Sequence, residues 1–320
     1  MGTLLGWQAG RVPDWMRREN QHEVIEAITS KVIEVRKDRG HDQTMMKMPS
    51  ASFPDLLRQW RGRRRLSQLA LAAEAGLSQR HLSFLECGKA QPSREMVSRL
   101  ADQLALPLRE RNAMLVAAGF SPQTQERAPD HPDLAAAMEV VGRILDGHAP
   151  RPALAVDRNW NLILANAPAL ALLTGIAPHL LAPPVNVLKV SLHPDGLAPR
   201  IRNYREWRAH LLERLGRQAE MSGDAEITAL VEELGAYPVP TGAKPQPVTG
   251  RDRHAGIAVP LELLVGDTVL SFLSTTTVFG TALDIFLSEL TIECFFPADE
   301  ATAAAMAAPA ASSAEKSPAG

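Results

Sequence analysis

The sequence predicts an all-α N-terminal domain of five short helices joined to an α/β (α+β) domain built on an antiparallel sheet. Three observations carry this. Residues 53–120 repeat short apolar runs at helical spacing, punctuated by serine and glycine. Residues 121–132 (SPQTQERAPDHP) are polar and proline-rich, as in a linker. Residues 133–300 open with a helical stretch at 133–147, then mix short β-type runs with helical segments and finish in alternating apolar and polar positions.

A chain of 320 residues is long enough for two adequate cores, and 45% apolar with 22% charged content is that of an ordinary globular protein. No apolar run approaches the ~18 residues of a membrane span. The N-terminus lacks the basic, apolar and small-residue regions of a secretory signal. The expected setting is therefore cytoplasmic, without membrane contact. Cys87 and Cys294 stand far apart with no metal-ligand spacing and are expected as reduced thiols.

Residues 1–50 read as an N-terminal extension with one amphipathic stretch, Glu23 to Arg39, whose Ile25, Ile28, Val32 and Val35 share a helical face. Met45, Met46 and Met48 leave a second reading open, in which translation starts there. Residues 301–320 are mostly Ala, Pro and Ser and are expected to be disordered.

The first domain, 51–120, is concentrated in charge. Between Phe53 and Arg94 eight basic residues oppose three acids, a local +5 in a chain of net −2, so the remainder carries −7. A compact basic segment in an acidic chain suits local phosphate contact. Within QLALAAEAGLSQRHLSFLE (68–86), Ser67 and Ser78 are placed to cap two successive helices. Gly76 stands at the sharp turn between them, where a left-handed backbone favours glycine. Ala72 is small where the helices cross, and Leu69, Leu82 and Leu85 supply the apolar contacts. On a wheel of ~100° per residue, Leu82 and Leu85 define the buried side of the second helix. Arg80 then points away, Ser83 and Phe84 flank it, and Gln79 lies at the exposed N-terminal edge. The run RGRRR (61–65) ends the first helix, where cations complement the helix dipole or lie along a phosphate backbone.

This stretch, with the following ECGKAQPS, resembles the helix-turn-helix family of the phage Cro and repressor proteins, the xenobiotic-response-element type, over residues 53–118. The resemblance implies binding to double-stranded DNA. It maps Gln68, Ser78, Lys89 and Arg94 onto phosphate-contacting positions, and Gln79, Arg80, Ser83 and Phe84 onto base-facing ones. Arg80 is suited to guanine and Gln79 to adenine. Phe84 either packs on a thymine methyl or turns inward against the next helix.

In the second domain, 133–300, Ala153–Val156 and Asn161–Leu164 read as strands joined at Asp157-Arg158-Asn159, and Asn166 opens a helix. Strand, turn, strand and Asn-capped helix is how a PAS-type fold begins. Ile257, Val259, Leu261, Leu263 and Val265 alternate along another strand, Gly266-Asp267 supplies a turn, and Leu270 and Phe272 follow. A last strand is expected with Phe286, Leu290, Ile292, Cys294 and Phe296 inward and Glu289, Thr291 and Glu293 outward, leaving one apolar sheet face. Together with RHLSFLECGKAQPSREMVSRLA, HPDGLAPRIRNYREW, FGTALDI and ELTIECFFPADEATA, residues 53–300 resemble the MmyB-like transcription regulators. That resemblance implies a bacterial regulator whose second domain binds a small lipophilic, fatty-acid-like effector. Its pocket would lie between sheet and helices, with Trp160, Leu188, Tyr204, Trp207, Leu211, Phe272 and Phe279 as candidate walls. Arg200 or Arg202 would meet a carboxylate head.

No H-E-x-x-H, Cys/His cluster, G-x-S-x-G, P-loop or G-x-G-x-x-G occurs in the sequence. HPDG (193–196) reads as a turn, and no nucleophile accompanies it. The expectation is a non-enzymatic, cofactor-free, homodimeric regulator. The alternative is a regulator whose second domain is a protein-interaction or dimerisation module without a metabolite.

Overall fold

The computed structural model describes residues 51–243, 259–280, 282 and 284–307. The amphipathic stretch at 23–39, Ile257, and the tail beyond 307 lie outside the described residues.

Five helices form the first unit: α1 (Phe53–Arg63), α2 (Gln68–Glu74), α3 (Gln79–Glu86), α4 (Arg94–Gln103) and α5 (Leu108–Ala117). Ser52, Ser67, Ser78 and Ser93 each cap a helix by accepting from a first-turn backbone N–H. Such caps contribute about 1 kcal/mol apiece. Gly76 turns the chain from α2 to α3 at φ +65°, and Leu77 N–H donates to the Ala72 carbonyl at 2.8 Å, closing α2. Leu57, Trp60, Leu71, Leu82, Leu85 and Leu100 are fully buried at the centre. Leu69 is not among them. It is 62% exposed, and Leu71 and Ala72 make the α2 contact instead, because α2 presents that side to α3 and α4.

Residues 121–131 carry no helix or strand but are pinned at several points, and a short 3-10 turn opens at Pro132. The buried Asn112 side chain donates to the Thr124 carbonyl and accepts from Gln123 and Thr124 N–H. Gln125 bridges to Asp284.

The second unit starts with α6 (Ala135–Gly147) and the hairpin β1 (Ala153–Val156) and β2 (Leu162–Ala165). The Asp157 carboxylate accepts from Asn159 and Asn161 N–H, so the turn is tied by its own acid. Asn166 caps α7 (Ala167–Leu172), and its amide donates to the Leu145 and Arg151 carbonyls. α8 (Val187–Leu192), α9 (Tyr204–Ser222) and α10 (Ala225–Ala236) follow, then β3 (Leu261–Val265) and β4 (Thr268–Val278). The described residues close with α11 (Ile285–Glu289), β5 (Thr291–Pro297) and α12 (Glu300–Ala307).

The five strands form one antiparallel sheet in the order β2-β1-β5-β4-β3. Helices cover both faces. One core joins Leu162, Leu188, Trp207, Leu263 and Phe272 with α8, α9 and α10. The other joins Ala153, Ala155 and Ile292 with Met138 and Leu145 of α6 and Phe286 of α11. This corrects the expectation of a single apolar face, and it corrects the last strand. Asp284 caps α11 by accepting from Phe286 N–H, so Phe286 and Glu289 are helical and β5 begins at Thr291. Glu293, expected outward, is buried on the α9 side. Residues 301–307, expected in a disordered tail, are helical. In α12, Met306 is buried and Thr302 Oγ1 accepts from Ser271 N–H of β4 at 2.9 Å.

The two units touch through charged side chains. Arg109 of α5 donates to both oxygens of Glu289 at 2.8 Å and pairs with Glu126. Arg63 of α1 donates to the Ser222 and Gly223 carbonyls at the end of α9. Gly223 has φ +63°, and any Cβ there would sit 1.8 Å from the Arg63 guanidinium, so this approach requires glycine.

Candidate nucleic-acid interface and ligand cavity

α3 is held by Leu82 and Leu85, both fully buried, which leaves its opposite side free. Gln79 and Arg80 are exposed, Ser83 is half-buried, and Phe84 is 37% exposed. The Arg80 guanidinium lies 5.3 Å from the Phe84 ring centroid, so the two residues form one exposed surface. Ser78 accepts from His81 N–H, which leaves its hydroxyl proton free to donate outward. Lys89 is exposed in the loop after α3, and its backbone N–H is tied to the Phe84 carbonyl at 2.8 Å. Arg94 is exposed but donates to the Ser121 carbonyl and lies over Phe120.

Gln68 is fixed from beneath. Its amide donates to Glu86 Oε2 at 2.7 Å, and Arg61 donates to both Glu86 oxygens. Glu86 is 2% exposed. Burial pushes its carboxyl up, but the bonds from Arg61 and Gln68 outweigh this and hold it below the ordinary carboxylate range. This triad, missed by the sequence reading, had a visible signal. Glu86 lies four residues after Leu82, hence on the buried side, and a buried acid there requires a cation.

The arginine run is largely spent inside the protein. Arg61 holds Glu86, Arg63 reaches α9, and Arg64 donates to the Leu104 and Ala105 carbonyls. Arg65, at φ +54°, is exposed.

In the second unit a cavity of about 90 Å³ lies between the sheet and α8–α9. Of the candidate walls, Leu188, Trp207 and Leu211 line it. Trp160, Tyr204 and Phe272 are buried in the surrounding core without reaching it. Two of them are fixed by their polar ends, Trp160 Nε1 donating to Gln218 and the Tyr204 hydroxyl to the Leu192 carbonyl. Phe279 packs with the core on the other sheet face. The cavity's polar groups are Ser191, whose Oγ accepts from Trp207 Nε1 at 3.0 Å, and Glu293. Neither was foreseen, since both sit in otherwise apolar runs. Glu293 pairs with Arg214 at 2.6 Å, and that guanidinium lies 4.6 Å from the Trp160 ring centroid.

The expected arginine heads do not meet the cavity. Arg200 donates to the Leu172, Thr174 and Leu264 carbonyls, and Arg202 is exposed. HPDG forms the expected turn, with Gly196 N–H donating to the His193 carbonyl. His179, His193 and Asp195 bring ligand-type atoms within 4.8 Å of one another, but His193 Nδ1 already accepts from Asp195 N–H.

A basic helical unit with an exposed α3, joined to an α+β domain with an apolar cavity, is the arrangement of a helix-turn-helix regulator with a ligand-binding domain. Residues 57–111 match the helix-turn-helix family, and residues 137–308 match the MmyB-like transcription regulator ligand binding domain. The second match spans more than half of the chain, which belongs to the MmyB-like transcription regulators. It is a helix-turn-helix transcription regulator with a ligand-binding domain, and both matched families are regulator domains, not enzymes. The chain has no match among curated proteins. No helix among the described residues is long and apolar enough to cross a membrane.

Proposed function

We propose that this regulator reads a specific DNA sequence with α3 and responds, in the cytoplasm, to a small lipophilic molecule held by its second domain. The observation that carries the DNA half is the exposed Gln79–Arg80–Phe84 surface within the +5 segment. In this reading Gln68, Ser78, Lys89 and Arg94 contact phosphates and fix register, while Arg80, Gln79, Ser83 and Phe84 face the bases. The regulator acts as a homodimer on two-fold related half-sites about one helical turn apart.

The apolar walls at Leu188, Trp207 and Leu211 support a lipophilic effector, and a fatty-acid-like tail is the form the family suggests. The PAS-type description is supported by the β1–β2 hairpin running into an Asn-capped helix and by the five-stranded antiparallel sheet. One observation favours the alternative of an interaction module. The cavity of about 90 Å³ is well below the roughly 300–1,000 Å³ usual for ligand pockets.

Selection of bound sequences from random DNA, with and without lipid extract, tests both halves. The expected result is an enriched two-fold motif whose occupancy changes with extract. Failure to enrich any motif would sink the DNA reading. A motif indifferent to extract, with no small molecule retained in native mass spectrometry, would favour the interaction module.

A further inference from the structure

Val140 and Ile144 stand one turn apart on α6, and each is 42% exposed. Among the described residues no other helix exposes two large apolar side chains. We propose that this outer face of α6 is the homodimer interface, packed antiparallel against the same face of a second copy of this chain. This rests on the homodimer reading and assigns its surface.

Met138, Val141 and Leu145 hold α6 against Ala153 and Ala155 of β1 in the core. At ~100° per residue, the side turned away from them carries Ala136, Val140, Arg143, Ile144 and Gly147, all exposed. Ala136, Val140 and Ile144 follow one another at four-residue steps, the ridge that packs into the groove of a facing helix.

Charge selects the partner. Glu139 and Arg143 lie together on one flank of this face, both exposed and without an ion pair among the described residues. A two-fold axis perpendicular to α6 at the level of Val141 lays each flank against itself with its direction reversed. Glu139 of one copy then stands beside Arg143 of the other, and the reverse. On the opposite flank Ile144 of one copy meets Ala137 and Val140 of the other. A parallel pairing sets unlike flanks together and matches neither charge. The face is thus complementary to itself in the antiparallel orientation, as an isologous contact requires.

The area sets the strength. With 13 residues, α6 is about 20 Å long at ~1.5 Å per residue and ~10 Å wide. Such a contact buries on the order of a few hundred Å² per copy, below the ~800 Å² of a standard interface. The dimer is therefore weak in free solution, and two half-sites on one DNA hold the copies together.

Sedimentation equilibrium of the full chain across a concentration series, at fixed salt, measures the self-association. The wild type is expected to dimerise reversibly. Ile144→Glu should abolish this with the melting temperature close to unchanged, since the side chain is already exposed. Glu139→Arg and Arg143→Glu each turn two attractive contacts into two repulsive ones and should weaken the dimer about tenfold. An equimolar mixture of those two variants restores both contacts in the heterodimer. It should associate like the wild type although neither variant does alone, a rescue that pairing within one helix cannot produce. A wild-type dimer insensitive to all three substitutions, or a mixture no stronger than its parts, would put the interface elsewhere and leave the homodimer reading standing. A wild-type monomer at every concentration would overturn the surface and the homodimer reading together. If the melting temperature of that monomer also fell on Ile144→Glu, a segment of the same chain covers the face.

Discussion

At the scale of the residue, the exposed surface of α3 depends on Arg80 and Phe84 acting together. With the guanidinium 5.3 Å from the ring centroid, Phe84 is a platform that limits where Arg80 can reach. Arg80→Ala is expected to weaken specific binding by about 1–3 kcal/mol at fixed salt, with melting temperature unchanged. Equal operator affinity in a titration of both proteins would remove Arg80 from the reading surface. Phe84 is more than a third exposed and offers little to the core. Phe84→Ala should therefore change preference at one position of each half-site, toward loss of a T bias, with little loss of stability. The opposite result, unchanged preference and a lower melting temperature, would return Phe84 to the interior.

At the scale of the element, the Arg61–Glu86–Gln68 triad joins the end of α1, the start of α2 and the end of α3. Glu86→Gln removes one partner of a buried pair. It should cost about 3 kcal/mol in urea unfolding, the lower end for such pairs because Arg61 keeps some contact with water. The pH dependence has a definite sign. The Glu86 carboxyl is held below its ordinary value, so its contribution is present above the unfolded-state pKa and is lost as pH falls through the folded one. Wild-type stability should fall on acidification more steeply than that of Glu86→Gln, and parallel acid titrations would remove this assignment. Most of these elements were legible beforehand. The serine caps, Gly76 and the burial of Leu82 and Leu85 depend on neighbours one to four residues away, which a sequence displays directly. Leu69 and the last strand were misread for one shared reason. Alternation shows which residues share a face, but not which face another element covers.

At the scale of the whole molecule, α9 touches both the cavity and the first unit. Trp207 and Leu211 on it line the cavity, and its terminal carbonyls at Ser222 and Gly223 accept from Arg63 of α1. An occupant that shifts α9 shifts the support of the DNA-binding unit, and the coupling equals the difference in effector affinity between the two arrangements. Arg63→Ala should leave operator and effector binding separately intact while reducing the effect of one on the other, typically about 1–3 kcal/mol in coupled regulators. Operator titrations with and without effector in both proteins measure this, and undiminished coupling would show that the signal runs elsewhere, for example through Arg109 and Glu289.

The amino-acid sequence by itself determined the helical caps and turns, the orientation of α3, the basic character of the first unit and the β1–β2 hairpin of the second. Each follows from short-range spacing. Only the tertiary structure decided where the charges end. Arg61 finds Glu86 across 25 residues, and Arg109 finds Glu289 across 180. It also decided that the cavity is small and presents an acid. A carboxylate can face inward only where a cation from another element offsets its loss of water, and Arg214 supplies that offset from 79 residues away.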